Sequence, residues 1–277
     1  MPLWKKPCSN THFTDFDGKR ERKIKMNDTR IFLSGCSGRM GKVIAEIVAD
    51  SENISIVAGS DFISYPAAFP IFPNASENTV DFDVIIDFSN VSALSEVLSL
   101  ALTQKKPVVF CTTGFSEEDK EKIQNASKEI PVFFSGNMSL GVNLLLALSK
   151  KAAAVLYPDF DIEIIEAHHN QKVDAPSGTA LMIADAVNEE LDKKLSYVYE
   201  RQSVREKREK KELGIHSIRG GSIVGEHSVI FAGQEEMITL SHSAQSRNVF
   251  ARGAIAAARF MKDMPAGLYT MEDLIGK

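Results

Sequence analysis

From Arg30 onward, short runs of apolar residues alternate with longer segments in which apolar side chains recur every three or four positions. The first run is Arg30-Ile-Phe-Leu-Ser34. The segment after it places Met40, Val43, Ile44, Ile47 and Val48 at i, i+3, i+4, i+7 and i+8, the stripe of an amphipathic helix. A second strand, Ile54-Ser-Ile-Val-Ala58, runs toward Asp61. Strand 83–89 precedes a helix with Ala93, Leu94, Val97, Leu98 and Ala101 on one face. Strand 107–111 precedes a helix capped by Ser116, with Asp119 three residues on, close to the capping-box pattern. Strand 131–135 leads into the apolar helix that starts near Gly141. Apolar strands alternating with helices imply a parallel sheet covered on both faces, with its ligand at the carboxyl ends of the strands.

Beyond residue 138 the pattern changes. Strands are predicted at 161–168, 215–219, 222–232 and 236–243, separated by one helix and a charged connection near 192–213, which suggests an open mixed sheet. Within that connection the charges of Arg205 to Glu212 alternate in sign, as on a solvated face. Helix 249–261 carries small and apolar residues throughout. The expected fold class is α/β, a Rossmann-like parallel-sheet nucleotide domain (26–137) plus an α+β domain with an open mixed sheet (138–246), followed by a C-terminal segment (247–277).

Composition narrows the function. With 277 residues, 44% hydrophobic and 25% charged, the chain can bury one large core or two moderate ones. No apolar run approaches the length of a membrane helix. A net charge of −5 argues against a general nucleic-acid binder. Cys8, Cys36 and Cys111 show no C-x-x-C spacing, so no metal site is expected and a reducing cytoplasm fits. The first 25 residues differ from the rest: Lys5, Lys6, Lys19, Arg20, Arg22, Lys23 and Lys25 outnumber Asp15, Asp17 and Glu21, with little apolar periodicity. They are expected to be a disordered tail, or an over-long reading frame whose true start is Met26, and carry no assigned function.

Two segments carry candidate chemistry. In Gly35-Cys36-Ser37-Gly38-Arg39-Met40-Gly41, glycines between a strand and a helix let the backbone approach a pyrophosphate, whose charge meets the helix N-terminus. The spacing is Gly-x-x-Gly-x-x-Gly, and Asp61 follows twenty residues after the last glycine, where an acid would accept hydrogen bonds from an adenosine ribose. The second segment is Glu166-Ala-His168-His169-Asn-Gln-Lys172-Val-Asp-Ala-Pro-Ser177-Gly178-Thr179. It joins a strand end to a helix start, with two imidazoles and an ammonium on the way. Such a helix start offers free N–H groups suited to a carboxylate, so the loop looks built to hold an acidic small molecule and to give it a proton.

The glycine turn, Ile-Ile-Asp-Phe-Ser (85–89), Thr-Thr-Gly (112–114), Asn-Met-Ser-x-Gly-Val-Asn (137–143) and the His-His loop together resemble the 4-hydroxy-tetrahydrodipicolinate reductase family, also called dihydrodipicolinate reductase. Ser217-Ile-Arg-Gly-Gly221 and Val224-Gly-Glu-His227 are similar to that family's later motifs, and the likeness runs in order from about Arg30 to the C-terminus. Cys111 departs from it, standing where the family usually has glycine.

The resemblance implies reduction, by NADH or NADPH, of a cyclic unsaturated dicarboxylate with loss of water, in lysine and diaminopimelate biosynthesis. Hydride addition to a conjugated imine needs a proton donor, and the matching motif makes His168 and Lys172 the acid pair. His169, Ser177, Gly178 and Thr179 match the substrate-carboxylate positions. Gly35, Cys36, Ser37, Gly38, Arg39, Met40 and Asp61 fall on the cofactor side, and Phe88, Cys111, Thr112, Thr113, Ser135, Gly136, Asn137 and Met138 line the nicotinamide. Arg247 is a further cofactor-side candidate. His216, His227 and His242, lying in strand patterns, are expected to be structural. The family also implies a homotetramer built through the second sheet, and a C-terminal segment returning to the nucleotide domain. Two alternatives stay open on the residues alone: another NAD(P)-dependent oxidoreductase of a small keto or imino acid, and a non-catalytic dinucleotide sensor.

Overall fold

The computed structural model describes residues 28–276, so residues 1–25, read above as a tail or a mis-assigned start, lie outside the described residues. The chain opens with β1 (Thr29–Ser34), α1 (Arg39–Ala49), β2 (Ile54–Ser60) and a short β3 (Ile71–Phe72). It continues through β4 (Val84–Asp87), α2 (Leu94–Gln104), β5 (Val108–Phe110), α3 (Glu117–Ala126) and β6 (Pro131–Phe134). The second half contains α4 (Leu140–Leu156), β7 (Asp161–His168), α5 (Gly178–Glu190), β8 (Ser196–Val198), β9 (Glu212–Arg219), β10 (Gly225–Ala232) and β11 (Met237–Ala244). Then come α6 (Asn248–Met261), β12 (Gly267–Tyr269) and α7 (Met271–Ile275).

Seven strands form one sheet in the order β12-β6-β5-β4-β1-β2-β3, and every pairing in it is parallel. Successive side chains of a strand point to opposite faces, so a strand covered on both sides must be apolar throughout. Ile31, Leu33, Val84, Ile86, Val109 and Phe133 pack on one face with Ile44 and Val48 of α1 and Ala251, Ala254, Ala257 and Ala258 of α6. Phe32, Ile85, Val108, Phe110 and Val132 pack on the other with Leu94, Val97, Leu98 and Ala101 of α2 and Ile123 of α3. Burying each such large side chain contributes about 1.5–3 kcal/mol. Ser116 and Asp119 form the reciprocal capping box at the start of α3.

The second sheet has the order β11-β10-β7-β9-β8. It is mixed: β10 is antiparallel to both β7 and β11, whereas β7 and β8 run parallel to β9. Helices α4 and α5 cover one face, where Leu145, Ala153, Ala180, Ile183 and Val187 meet Ile162, Ile164, Leu213, Ile215, Val229 and Phe231. The alternating charges before β9 do not merely face solvent. Arg208 reaches back to the Glu163 and Asp161 carboxylates at 2.9 Å and to the carbonyls of Ile162 and Glu212, and this anchoring starts β9 at Glu212, three residues before the predicted strand. Strand β10 starts later than predicted, at Gly225, because Gly221 turns the chain with a positive φ of 47°. After β11 the chain crosses back: α6 packs on the first sheet, and β12 pairs with β6 at its edge. The short edge strands β3, β8 and β12 have no counterpart in the predicted pattern.

Candidate active site

The glycine turn lies between β1 and α1. Gly35 has φ +77°, and a Cβ there would lie 2.6 Å from the Phe88 backbone; a Cβ on Gly41 would lie 2.3 Å from the Gly35 carbonyl oxygen. Glycine is therefore required at both positions by conformation or by close approach. Gly38 begins α1 without any side-chain cap, which leaves the helix's first N–H groups available to an anion. Asp61, just past β2, accepts from Ser37 N–H at 3.0 Å and from Ile63 N–H at 3.3 Å.

Two cavities adjoin at Phe88 and Ser89. One, of about 170 Å³, is lined by Gly35, Gly38, Ser60, Asp61, Phe62, Asn90 and Glu96 among others. The other, of about 560 Å³, is lined by Arg39, Met40, Phe88, Ser89, Cys111, Thr112, Thr113, Ser135, Gly136, Asn137, Met138 and Phe250. Most of the expected cofactor-side residues thus meet along one groove at the carboxyl ends of the strands. Three do not line it. The Cys36 side chain is turned into the core beside Ile44, and burial pushes its thiol up to about 11. Ser37 lines neither cavity, and its N–H is committed to Asp61. Arg247, exposed at the start of α6, also lines neither; Phe250, three residues on, lines the larger cavity, and sequence reading missed it. Cys111 is in the wall, and burial holds its thiol well above the usual range. Beneath it, burial pushes the Asp87 carboxyl up against the pull of hydrogen bonds from Ser89, Thr112 and Ser34. The 2.7 Å bond from Thr112 Oγ1 to Asp87 ties together the loops after β4 and β5.

The His-His loop lies next to this groove. Asn137 Nδ2 donates to Thr179 Oγ1 at 3.1 Å, joining the loop after β6 to the first turn of α5. Ser177 caps that helix, its Oγ accepting from Ala180 N–H at 3.2 Å. Gly178 is exposed, with open space where a Cβ would lie. His168 is buried at the end of β7, and its Nδ1 is 2.6 Å from Glu166 Oε2. Lys172 forms a 2.9 Å ion pair with Asp174 in the loop, and His169 accepts the Lys172 N–H through its carbonyl. The two acid candidates, the helix start and the groove are therefore brought together.

Three residues complete this cluster. Glu166 is fully buried and receives Arg219 from β9 through both carboxylate oxygens, at 2.7 and 2.9 Å. Burial by itself would raise its pKa, but hydrogen bonds from Arg219, Ser217, His168 and the Ser177 N–H override it and hold the carboxyl at about 2. His227, expected to be structural, lies buried beside His168. Its ring lies 5.3 Å from that of His168 at 74°, and Ser177 Oγ is 3.1 Å from its Nε2. Burial, with His168 close by, lowers its pKa to about 4. The sequence carried a signal for Glu166, since strand alternation puts it with His168 on the apolar face of Ile162 and Ile164. The other two lie on strands remote in sequence. His216 pairs with Glu163 at 2.9 Å on the opposite face of the sheet. His242 faces His227 across β10 and β11, and burial lowers its pKa.

A parallel sheet with a glycine turn, a groove along its strand ends and a second, mixed sheet beside it are the build of an NAD(P)-dependent oxidoreductase. Two family descriptions match the chain: "Dihydrodipicolinate reductase, N-terminus" over residues 29–138 and "Dihydrodipicolinate reductase, C-terminus" over residues 141–275. The chain belongs to the dihydrodipicolinate reductase family. It is 53% identical over 248 residues to the 4-hydroxy-tetrahydrodipicolinate reductase of Caldanaerobacter subterraneus subsp. tengcongensis, covering 90% of this chain and 98% of that one. The Clostridium botulinum protein of the same name is 51% identical, with 89% and 98% covered. Among solved structures, the dipicolinate-bound dihydrodipicolinate reductase of Paenisporosarcina sp. TG-14 superposes with a TM-score of 0.77 at 26% identity, covering 90% of this chain and 99% of that one. A probable dehydrogenase from Thermotoga maritima, at 12% identity and a TM-score of 0.57, shares the fold alone.

Proposed function

We propose that this chain reduces 4-hydroxy-tetrahydrodipicolinate to tetrahydrodipicolinate with NADH or NADPH and loss of water, in lysine and diaminopimelate biosynthesis. The observation that carries the reading is the Asn137–Thr179 hydrogen bond, which sets the acid-bearing loop against the groove at the strand ends. Bound there, the nicotinamide would supply the hydride. The glycine turn and the uncapped start of α1 fit its pyrophosphate, and the 560 Å³ cavity fits its nicotinamide end.

The chain's own residues supply the rest. The first N–H groups of α5, at Gly178 and Thr179, bind a substrate carboxylate. Ser177 and His169 flank it, and Lys172 offsets the charge of the dianion. Addition of a hydride to a conjugated imine leaves electron density that a proton must quench, and His168 with Lys172 delivers it. Their loop lies on the α5 side of the groove, so proton donor and carboxylate site share one element. The chain further works in the cytoplasm as a homotetramer, in which the open face of the second sheet, with Ile218 and Met237 exposed, is covered by another copy.

Oxidation of NADH or NADPH in a coupled assay that generates the unstable substrate in place tests the reading. Turnover is expected in the parent, and Lys172→Ala or His168→Ala should lower kcat by about 10²–10⁴-fold with little change in NADH affinity. Absence of turnover in the parent, or full turnover in both variants, refutes it.

A further inference from the structure

We infer that Glu166, clamped by Arg219, is a positioning residue: it fixes the proton of His168 on Nδ1 and ties that ring to the helix start at Ser177. The inference rests on the reading of His168 as a proton donor. Strand register assembles the group, because His168 lies opposite Arg219 in the parallel β7–β9 pair and Glu166 lies opposite His227 in the antiparallel β7–β10 pair. All four side chains consequently project from the same face of the sheet.

Both carboxylate oxygens of Glu166 are engaged by main-chain and side-chain groups. Oε1 accepts from Arg219 Nη2 at 2.7 Å and from Ser177 N–H at 3.1 Å; Oε2 accepts from Arg219 Nη1 at 2.9 Å and stands 2.6 Å from His168 Nδ1. An ionised carboxylate has acceptors only, so Nδ1 must be the donor in that last bond. The doubly bonded guanidinium keeps the acid ionised, and the low pKa of Glu166 agrees. Nε2 is then the end of His168 at which a proton can be given up and regained. The other charged or titratable groups around the ring are His227 on β10, His242 beyond it on β11, and Lys172 and Asp174 in the loop. His227 is kept neutral by burial, so no group but Glu166 presents a charged acceptor to Nδ1 among the described contacts of His168.

Arg219 extends the arrangement. Its Nη2 also donates to the Asp174 carbonyl at 2.7 Å, and Asp174 holds Lys172. One ion pair, fully buried at Glu166 and partly exposed at Arg219, thereby orients the His168 ring, the Lys172 loop and the first turn of α5, which are the proton donors and the carboxylate site of the proposed reaction.

The test uses the full chain with nitrogen-15-labelled histidine, and the His168 signals are identified by their loss in His168→Gln. In the parent, the neutral ring is expected to carry its proton on Nδ1. In Glu166→Gln, Arg219 claims the amide oxygen and the NH₂ group faces Nδ1, so the proton should move to Nε2. Turnover should fall about 10²-fold in kcat, with the KM for NADH unchanged, and Glu166→Asp, which keeps the carboxylate, should recover part of the loss. A parent ring protonated on Nε2, or Glu166→Gln with the tautomer and kcat of the parent, overturns the inference. Should Glu166→Gln fail to fold, the parent spectrum decides alone. A parent without turnover would sink the proposed function, while the tautomer would still judge Glu166.

Discussion

Cofactor choice is expected to turn on Asp61. Its carboxylate lines the smaller cavity, where it would meet the adenosine ribose, and Glu96 adds a second acid to the same lining with no lysine or arginine there. The nearby cations are placed elsewhere: Arg39 lines the larger cavity, and Lys42 sits 5.2 Å over the Tyr65 ring. Two unit charges 4 Å apart repel by about 1 kcal/mol in water and about 4 kcal/mol at the effective dielectric of a protein surface. For a 2′-phosphate bearing nearly two charges at the open mouth of a groove, about 2 kcal/mol is a reasonable working value, roughly thirtyfold in kcat/KM against NADPH. Asp61→Asn is the cleaner perturbation, since the amide oxygen can still accept from Ser37 N–H and keep the glycine turn in place. Exchanging a charged for a neutral acceptor should weaken NADH by about 1 kcal/mol, and loss of the repulsion should bring NADPH close to parity. Comparing kcat/KM for both cofactors in parent and variant measures this. A parent that prefers NADPH, or a variant whose cofactor ratio does not move, refutes the reasoning.

Other outcomes follow from the same structure. The folded pKa of His227, about 4, lies below its ordinary 6.5, so the unfolded chain takes up a proton between those values that the folded chain refuses. Stability is fully present above pH 6.5 and falls as the pH drops toward 4, by on the order of 3 kcal/mol from this group; denaturant titrations at pH 7 and pH 5 should show the drop, and His227→Gln should flatten it. Ser177→Ala removes the cap of α5 and the hydroxyl facing His227, and should lower stability by about 1 kcal/mol while raising the KM for the dicarboxylate; an unchanged KM would count against the helix start as the carboxylate site. Removing residues 1–25 should leave the melting temperature and turnover intact, because the family match begins at residue 29; a large loss of melting temperature would show that the segment docks on the core.

Much of the first sheet could be read from the chain because its determinants are local. Strands such as β1 and β4 carry unbroken apolar runs, Ile31-Phe-Leu33 and Val84-Ile-Ile86, and burial on both faces leaves such a run little else to be. The glycine turn, the Ser116 capping box and the Ser177 cap are likewise set within a few residues of sequence, where a φ value or a single N–H decides the outcome. The edge strands escaped notice because they are two or three residues long and exist only where a neighbouring strand offers hydrogen bonds, as β6 does for β12. The same holds for the site. His168 and Lys172 were visible in one loop, but Arg219 is 53 residues from Glu166 and His227 is 50 residues from Ser177. Their meeting depends on the registers of β9 and β10 against β7, and a shift of one residue in either would have turned those side chains to the opposite face. Cys36 shows the converse, a residue inside a binding motif whose side chain the packing of α1 turned toward the core. Period and turn chemistry are short-range properties that a sequence carries by itself, whereas which distant strand supplies a carboxylate with its cation is decided by sheet order and register.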